Sequence, residues 1–325
     1  MLLSRHTRRR EFLTLAGTGV AWPTFAQSPP LPRIGLLLAG EGPARDNIIQ
    51  SLEARGYVEG RTVVIAERQA RGQLERLPAL AQELVSVPVD VIIAVAASAT
   101  MAARQATRTI PIVMAHAGDP IGQGLIESLA RPGGNITGTI SYTPELVGKA
   151  VGLLRELAPG ITRLAALVVS SNSGTPLAVK QAQLAATDLG LELTIVGVER
   201  ADDLDAAFAT ITRAASDSLL VFGEPMLFTN RLRLLEFAAR TRLPTIYTLT
   251  EFVRDGGLIA YGPIFKEHHQ LVGDYVHKIL SGAKPSELPV AQSTRFALAI
   301  NLKSADALGL TIPPMLLARA DEVIE

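Results

Sequence analysis

The 325 residues carry 31 basic and 31 acidic side chains, and a formal net charge of zero argues against a general binder of nucleic acid, which needs a basic face. Apolar residues make up 48% and charged ones 19%, which suits long buried strands in two domains and opposes disorder. There is no cysteine, so disulfides, thiol catalysis, cysteine–metal sites and a lipid-modified cysteine anchor are excluded.

Residues 1–26 read as an export signal. Arg8-Arg9-Arg10-Glu11-Phe12-Leu13 precedes a mildly apolar run over 13–21, broken by Gly17 and Gly19. Thr24-Phe25-Ala26 then ends in the small residue that a signal peptidase accepts. The run is too short to span a membrane stably, so the mature protein is expected not to be membrane-spanning. The pair Arg9-Arg10 ahead of Phe12 and Leu13 resembles the twin-arginine export motif, with Arg8 where Ser or Thr is usual. Cleavage after Ala26 removes four of the 31 basic and one of the 31 acidic residues, leaving 27 and 30, and takes away Trp22, the single tryptophan.

Residues 27–32 form a proline-rich lead-in. The first strand is expected at 34–39, and Gly40-Glu41-Gly42-Pro43 turns the chain into a helix over 44–55, stopped by Gly56. A second strand follows at 63–66. Apolar residues at 74, 77, 80, 81, 84 and 85 mark one face of a helix. Val91-Ile92-Ile93-Ala94-Val95, short and rich in β-branched residues, reads as a strand buried on both faces of a parallel sheet. A small-residue turn over 96–100 leads into a helix over 101–107. The strand at 110–114 opens into His116-Ala117-Gly118-Asp119-Pro120. A helix over 121–130 and a half-exposed strand at 136–140 complete the first set.

From Pro144 the pattern restarts. Helices are expected over 144–157, 175–189, from 202, and over 225–242. Strands are expected at 164–169, 191–198, 219–222 and 245–247. After Gly256-Gly257 come a strand at 258–261, a long helix over 266–280 and a strand at 296–301, which read as additions to the two sheets. The fold class is therefore α/β, with two doubly wound parallel-sheet lobes. Residues 33–141 with about 258–285 form the N-terminal lobe, and residues 142–257 with about 292–325 the C-terminal lobe.

No phosphate loop, dinucleotide turn, nucleophile elbow or H-E-x-x-H is present, so neither a cofactor nor a metal is expected. His116 sits beside the expected cleft and reads as a neutral structural histidine more readily than as a base. His268 and His269 are expected on different sides of their helix. Open α/β sheets bind ligands at the carboxyl ends of their strands. The loops there carry Glu41; Ser98, Ala99 and Thr100; Asp119; Ser171, Asn172 and Thr175; Glu224; and Tyr247 with Glu251. Tyr142 and Tyr261 fall near the expected crossings, where they would wall a pocket. Free N–H groups opening the helix after Ser98 suit a carboxylate, and Asp119 suits an ammonium, so together they would hold a zwitterion. Two plainer roles stay open: Ser98 as a helix cap and Asp119 as a turn initiator before proline.

Several phrases carry a resemblance to a family: R-R-R-E-F-L at the start, L-x-x-R-G-Y-V-E-G-R at 52–61, G-D-P at 118–120 and A-R-P-G-G-N-I-T-G at 130–138. G-G-L-I-A-Y-G-P follows at 256–263, I-L-S-G-A-K-P-S-E-L-P-V at 279–290 and I-N-L-K-S-A-D-A-L-G-L-T-I-P-P at 300–314. In this order and spacing they resemble the bacterial ABC-transporter substrate-binding proteins related to tryptophan/tyrosine-type binders. The resemblance implies a type I periplasmic-binding-protein fold, two lobes joined by three crossovers, and hinge closure on a small-molecule ligand. It also implies a periplasmic location, delivery to an ABC permease in the inner membrane, and no catalysis. By the same resemblance Ser98-Ala99-Thr100 would meet a ligand carboxylate, Asp119 its amino group, and Asn172 and Glu224 would close from the second lobe. Ala96-Ala97, His116-Ala117 and the serine-rich S-S-N-S-G-T-P loop depart from the family's forms, which leaves the ligand open, with an amino acid or related compound as the starting point. Three other readings are a periplasmic receptor serving a membrane sensor, an exported α/β enzyme, and a LacI-like repressor. The last has an export signal where its DNA-binding helices would stand.

Overall fold

The structure is a computed structural model that describes residues 30–140, 145–172 and 174–325. The expected export signal, including Arg9, Arg10, Phe12 and Leu13, lies outside the described residues, as does Tyr142. In chain order the strands are β1 (Arg33–Leu38), β2 (Val64–Gln69), β3 (Val91–Val95), β4 (Ile112–Ala117), β5 (Ile136–Ile140), β6 (Arg163–Val169) and β7 (Glu192–Val198). They continue as β8 (Ser218–Val221), β9 (Thr245–Tyr247), β10 (Ile259–Pro263), β11 (Ala291–Gln292), β12 (Phe296–Asn301) and β13 (Glu322–Ile324). The helices used below are α1 (Ala44–Glu53), α2 (Leu77–Val85), α3 (Ala97–Ala106), α4 (Glu145–Leu157), α5 (Thr175–Asp188), α6 (Leu204–Arg213), α7 (Pro225–Thr229), α8 (Arg231–Thr241), α9 (Glu251–Arg254) and α10 (Phe265–Leu280).

The strands form two sheets, with orders β11-β5-β4-β3-β1-β2 and β13-β12-β10-β9-β8-β6-β7. All pairings are parallel except β10 with β12. Parallel strands are buried on both faces, which is why β3, β6 and β8 read as unbroken apolar runs. One face of the first sheet packs Ile34, Leu36, Val91 and Ile93 with Ile48 and Leu52 of α1 and Val272, Val276 and Ile279 of α10. Its other face packs Leu37, Ile92 and Met114 against α2 and α3. The second sheet is covered in the same way by α4 and α5 on one side and α6 to α9 on the other.

The chain passes between the sheets three times: from β5 to α4, from β10 to α10, and from β11 to β12. The segment from about 258, expected in the N-terminal lobe, starts instead in the second sheet, where β10 pairs with β9 and β12. The return to the first lobe begins only with α10, and Ala291–Gln292 still belongs to the first sheet, against β5. Three element expectations also change. Residues 121–130 form turns rather than a helix, the helix over 225–242 is broken at Asn230 into α7 and α8, and α3 begins at Ala97 instead of 101.

Candidate functional site

In each sheet the strand order reverses at one place. β1 is flanked by β2 and β3, and β6 by β7 and β8, so the loops leaving these strands diverge and leave a crevice at their carboxyl ends. The loops after β1, β3, β6 and β8 all line one cavity of about 230 Å³ between the lobes. The lobes touch at its mouth. A Cβ on Gly40 would lie 2.9 Å from the Cβ and carbonyl oxygen of Pro225, and one on Gly42 would lie 2.9 Å from the Phe228 ring. Only glycine permits that approach. The Glu41 N–H also donates to Thr229 Oγ1 at 3.3 Å, so the lobes stand in a closed arrangement.

Five of the expected loop residues line this cavity: Glu41, Ser98, Asn172, Glu224 and Glu251. Ser98 lies in the first turn of α3, a helix whose N-terminus carries no side-chain cap and follows Ala96 at φ +81°. The Asn172 side-chain amide donates to the Glu224 carboxylate. Burial pushes the Glu224 carboxyl up to about 7, against the opposing effect of that hydrogen bond. Glu251 is 3.9 Å from Arg254, whose guanidinium is turned to a bidentate pair with Glu322 at 2.9 and 2.7 Å.

The others lie elsewhere. Ala99 and Thr100 are fully buried inside the first lobe, and Thr100 Oγ1 donates to the Ala96 carbonyl at 3.0 Å. Thr175 is likewise buried, donating to the Val169 carbonyl at 2.6 Å. Tyr247 does not reach the cavity: it is 1% exposed and stacks on Phe252 within the second-lobe core, where burial pushes its hydroxyl pKa upward. Asp119 is absent from the lining, and its Oδ1 accepts the Gly122 N–H at 2.9 Å, closing a local turn. Asparagine can make the same bond. Asp119→Asn is therefore expected to change the affinity for a cleft ligand less than threefold, measured by calorimetry with the melting temperature as folding control. A loss of thirtyfold would restore Asp119 as a ligand contact.

His116 stands beside the cleft as expected, but its pairing with a second cavity residue, His269, escapes local sequence reasoning. The register of β4 against β5 shifts between Met114 and Ala117, and His116 adopts φ +61°, a conformation costing a non-glycine residue about 1–2 kcal/mol. This bulge carries the His116 ring to α10, with Nε2 2.6 Å from His269 Nε2 and the ring centroid 4.1 Å from that of Phe265. Both histidines line the cavity. His268 and His269 are both buried with their rings 5.5 and 4.5 Å from that of His116, but only His269 lines the cavity. Burial holds His116 well below the usual histidine range and pushes His268 to about 4 and His269 to about 3. All three are neutral at pH 7, and none of their Nδ1 atoms has a protein partner. His116 and His269 are 153 residues apart, so no spacing rule links them.

The remaining walls are apolar, with Phe222, Phe228, Leu249 and Phe265 among them. The arrangement suits capture of a small solute by carboxylates and imidazole nitrogens on one side and flat apolar surface on the other. Among the described residues no three His, Asp or Glu side chains are grouped to hold a metal ion, and no helix is long and apolar enough to cross a membrane.

Known proteins bear on this geometry. Residues 36–324 match the family described as ABC transporter substrate binding protein. A tyrosine-binding protein of Clostridioides difficile (strain R20291) is 24% identical over 282 residues, covering 86% of this chain and 81% of the relative. Among solved structures, the ABC domain in complex with L-Trp from Streptococcus pneumonia is 26% identical. It has a TM-score of 0.84 and covers 90% of this chain and 100% of that one. A conserved domain protein from Vibrio cholerae O1 is 27% identical, also with a TM-score of 0.84, covering 90% and 99%. With two sheets opening their switch points onto one cavity and a family match spanning almost the whole described chain, this protein belongs to the ABC transporter substrate-binding proteins.

Proposed function

We propose that the chain is the periplasmic receptor of an ABC importer, binding without catalysis a small solute, an amino acid or related compound, and passing it to an inner-membrane permease. The observation that carries this reading is the cavity between closed lobes, walled from both sheets at their switch points. Ser98 and the histidine pair engage the solute from the first lobe. Asn172, Glu224 and Glu251 engage it from the second, so binding holds the lobes together. The test is a thermal-shift screen of amino acids, amines, small acids and sugars on the mature protein. A solute at 100 times its Kd stabilises a receptor by about 2.7 kcal/mol. Stabilisation by none of them, or turnover of any, would overturn the reading.

Export by the twin-arginine route belongs to the same proposal and rests on Arg9-Arg10-Glu11-Phe12-Leu13. Replacing both Arg9 and Arg10 with lysine is expected to leave the precursor in the cytoplasm, as read by fractionation and immunoblot. Undiminished mature protein in the periplasm would exclude that route.

A further inference from the structure

The charges of the cleft are lopsided. Glu41, Glu224 and Glu251 line it, and among the described residues no lysine or arginine does. Arg45 and Arg254, adjacent along the chain to cleft elements, are committed to Glu67 at 2.7 Å and Glu322 at 2.7 Å. The histidines do not redress the balance. In the neutral pair one Nε2–H donates to the other Nε2, so the donor ring keeps a bare Nδ1 lone pair and the acceptor ring an Nδ1–H, and neither carries charge. His269 is 1% exposed, lines the cavity, and has no partner for its Nδ1. On the second-lobe side, the Glu224 carboxylate takes its hydrogen bond from the Asn172 amide. The cleft thus holds negative charge with no cationic side chain to balance it, beside the rings of Phe222, Phe228 and Phe265.

A carboxylate drawn out of water needs a cation to offset the lost hydration. A zwitterion supplies one but brings a second carboxylate, which would find uncharged donors, the uncapped start of α3, Ser98 and an imidazole N–H, and no cation. A monocation supplies the charge with no such debt. We propose that this cleft selects a primary amine on an aromatic body, lacking a carboxylate, with Glu224 as its counter-ion. The inference rests on the receptor reading and narrows it to a ligand class.

Three probes share one ring and chain and differ in charge: 2-phenylethylamine (cation), L-phenylalanine (zwitterion) and 3-phenylpropionate (anion). Calorimetry on the mature protein at pH 7.5 is expected to rank the amine at least tenfold tighter than the amino acid, with the acid weakest. Glu224→Gln is expected to cost the amine thirtyfold or more while keeping the Asn172 contact and the melting temperature. Should that variant fold poorly, the order of the three probes on the wild type decides alone. Equal or tighter binding of L-phenylalanine or 3-phenylpropionate overturns the inference and leaves the receptor reading standing. Binding of none of the three overturns the inference, and the broader screen then decides the receptor reading by itself. Unchanged amine affinity in a folded Glu224→Gln protein removes Glu224 as the counter-ion and overturns the proposal in that form.

Discussion

Gly138→Ala is expected to destabilise the protein by roughly 2–5 kcal/mol, by far more than a surface substitution. Gly138 lies in the middle of β5 at φ +133°, a conformation that side-chain-bearing residues rarely adopt. A Cβ there would sit 2.1 Å from the Met114 carbonyl oxygen and 2.7 Å from the Met114 nitrogen. Both are backbone atoms of the neighbouring strand β4, so no rotamer change relieves the clash and the strands must part. They would part at the bulge between Met114 and Ala117, which also aims His116 into the cleft. Two terms therefore add: overpacking, worth about 1–3 kcal/mol, and backbone strain of about 1–2 kcal/mol. For a chain this long the melting temperature is expected to fall by roughly 3–8 °C. Cleft affinity should fall as well, because His116 moves. A melting temperature within 2 °C of wild type would show that β4 and β5 separate there at no cost.

How much was legible in the sequence depended on whether a feature is local. The run Val91–Val95 announces a strand buried on both faces because nothing else tolerates five such residues in so short a stretch. The order β2-β1-β3 is not local, and it is what makes the loops after β1 and β3 walls of one crevice. Residues 121–130 show the opposite failure. Leu125 and Ile126 are buried and give the stretch an apolar face, yet Gly122, the turn closed by Asp119, and Gly124 at φ +65° keep it from coiling. Within the site, Ser98 and Thr100 look equivalent on paper. In α3 they lie about 200° apart, so one faces the cavity and the other its own preceding turn. Tyr247 misleads in a similar way: it stands at a strand end, but its ring is taken up by Phe252 and the core. The histidine cluster depends on a bulge in one strand and on a helix that returns from the other lobe, and neither is visible as a motif.

That cluster is also expected to make the protein acid-labile well above the range where carboxylates usually decide. His268 and His269 protonate in the folded protein only at about 4 and 3, and His116 is held well below its usual range, in each case chiefly by burial. In the unfolded chain the same side chains take up protons near 6.5. Between pH 6.5 and about 4 the unfolded state therefore binds more protons, and stability falls as the pH falls. Above pH 6.5 all of the contribution is present; below the folded-state values nothing further is lost. Repulsion within the cluster couples the three, so the total is of the order of 3–6 kcal/mol by pH 4 rather than a full sum. Glu224 works in the opposite sense. Its carboxyl is protonated in the folded protein below about 7, against an ordinary value near 4.5, so it gives back part of the loss between those limits. The variant His116→Gln/His268→Gln/His269→Gln separates the two effects, because it keeps Glu224 and removes the imidazoles. Urea midpoints followed by far-ultraviolet circular dichroism at pH 7.5, 6, 5 and 4.5 are expected to fall steeply for the wild type. For the variant they should stay flat or rise between pH 7.5 and 5. Parallel curves for the two proteins would mean that the cluster takes up protons in the fold as readily as in water, and the neutral imidazole cluster at the cleft would have to be abandoned.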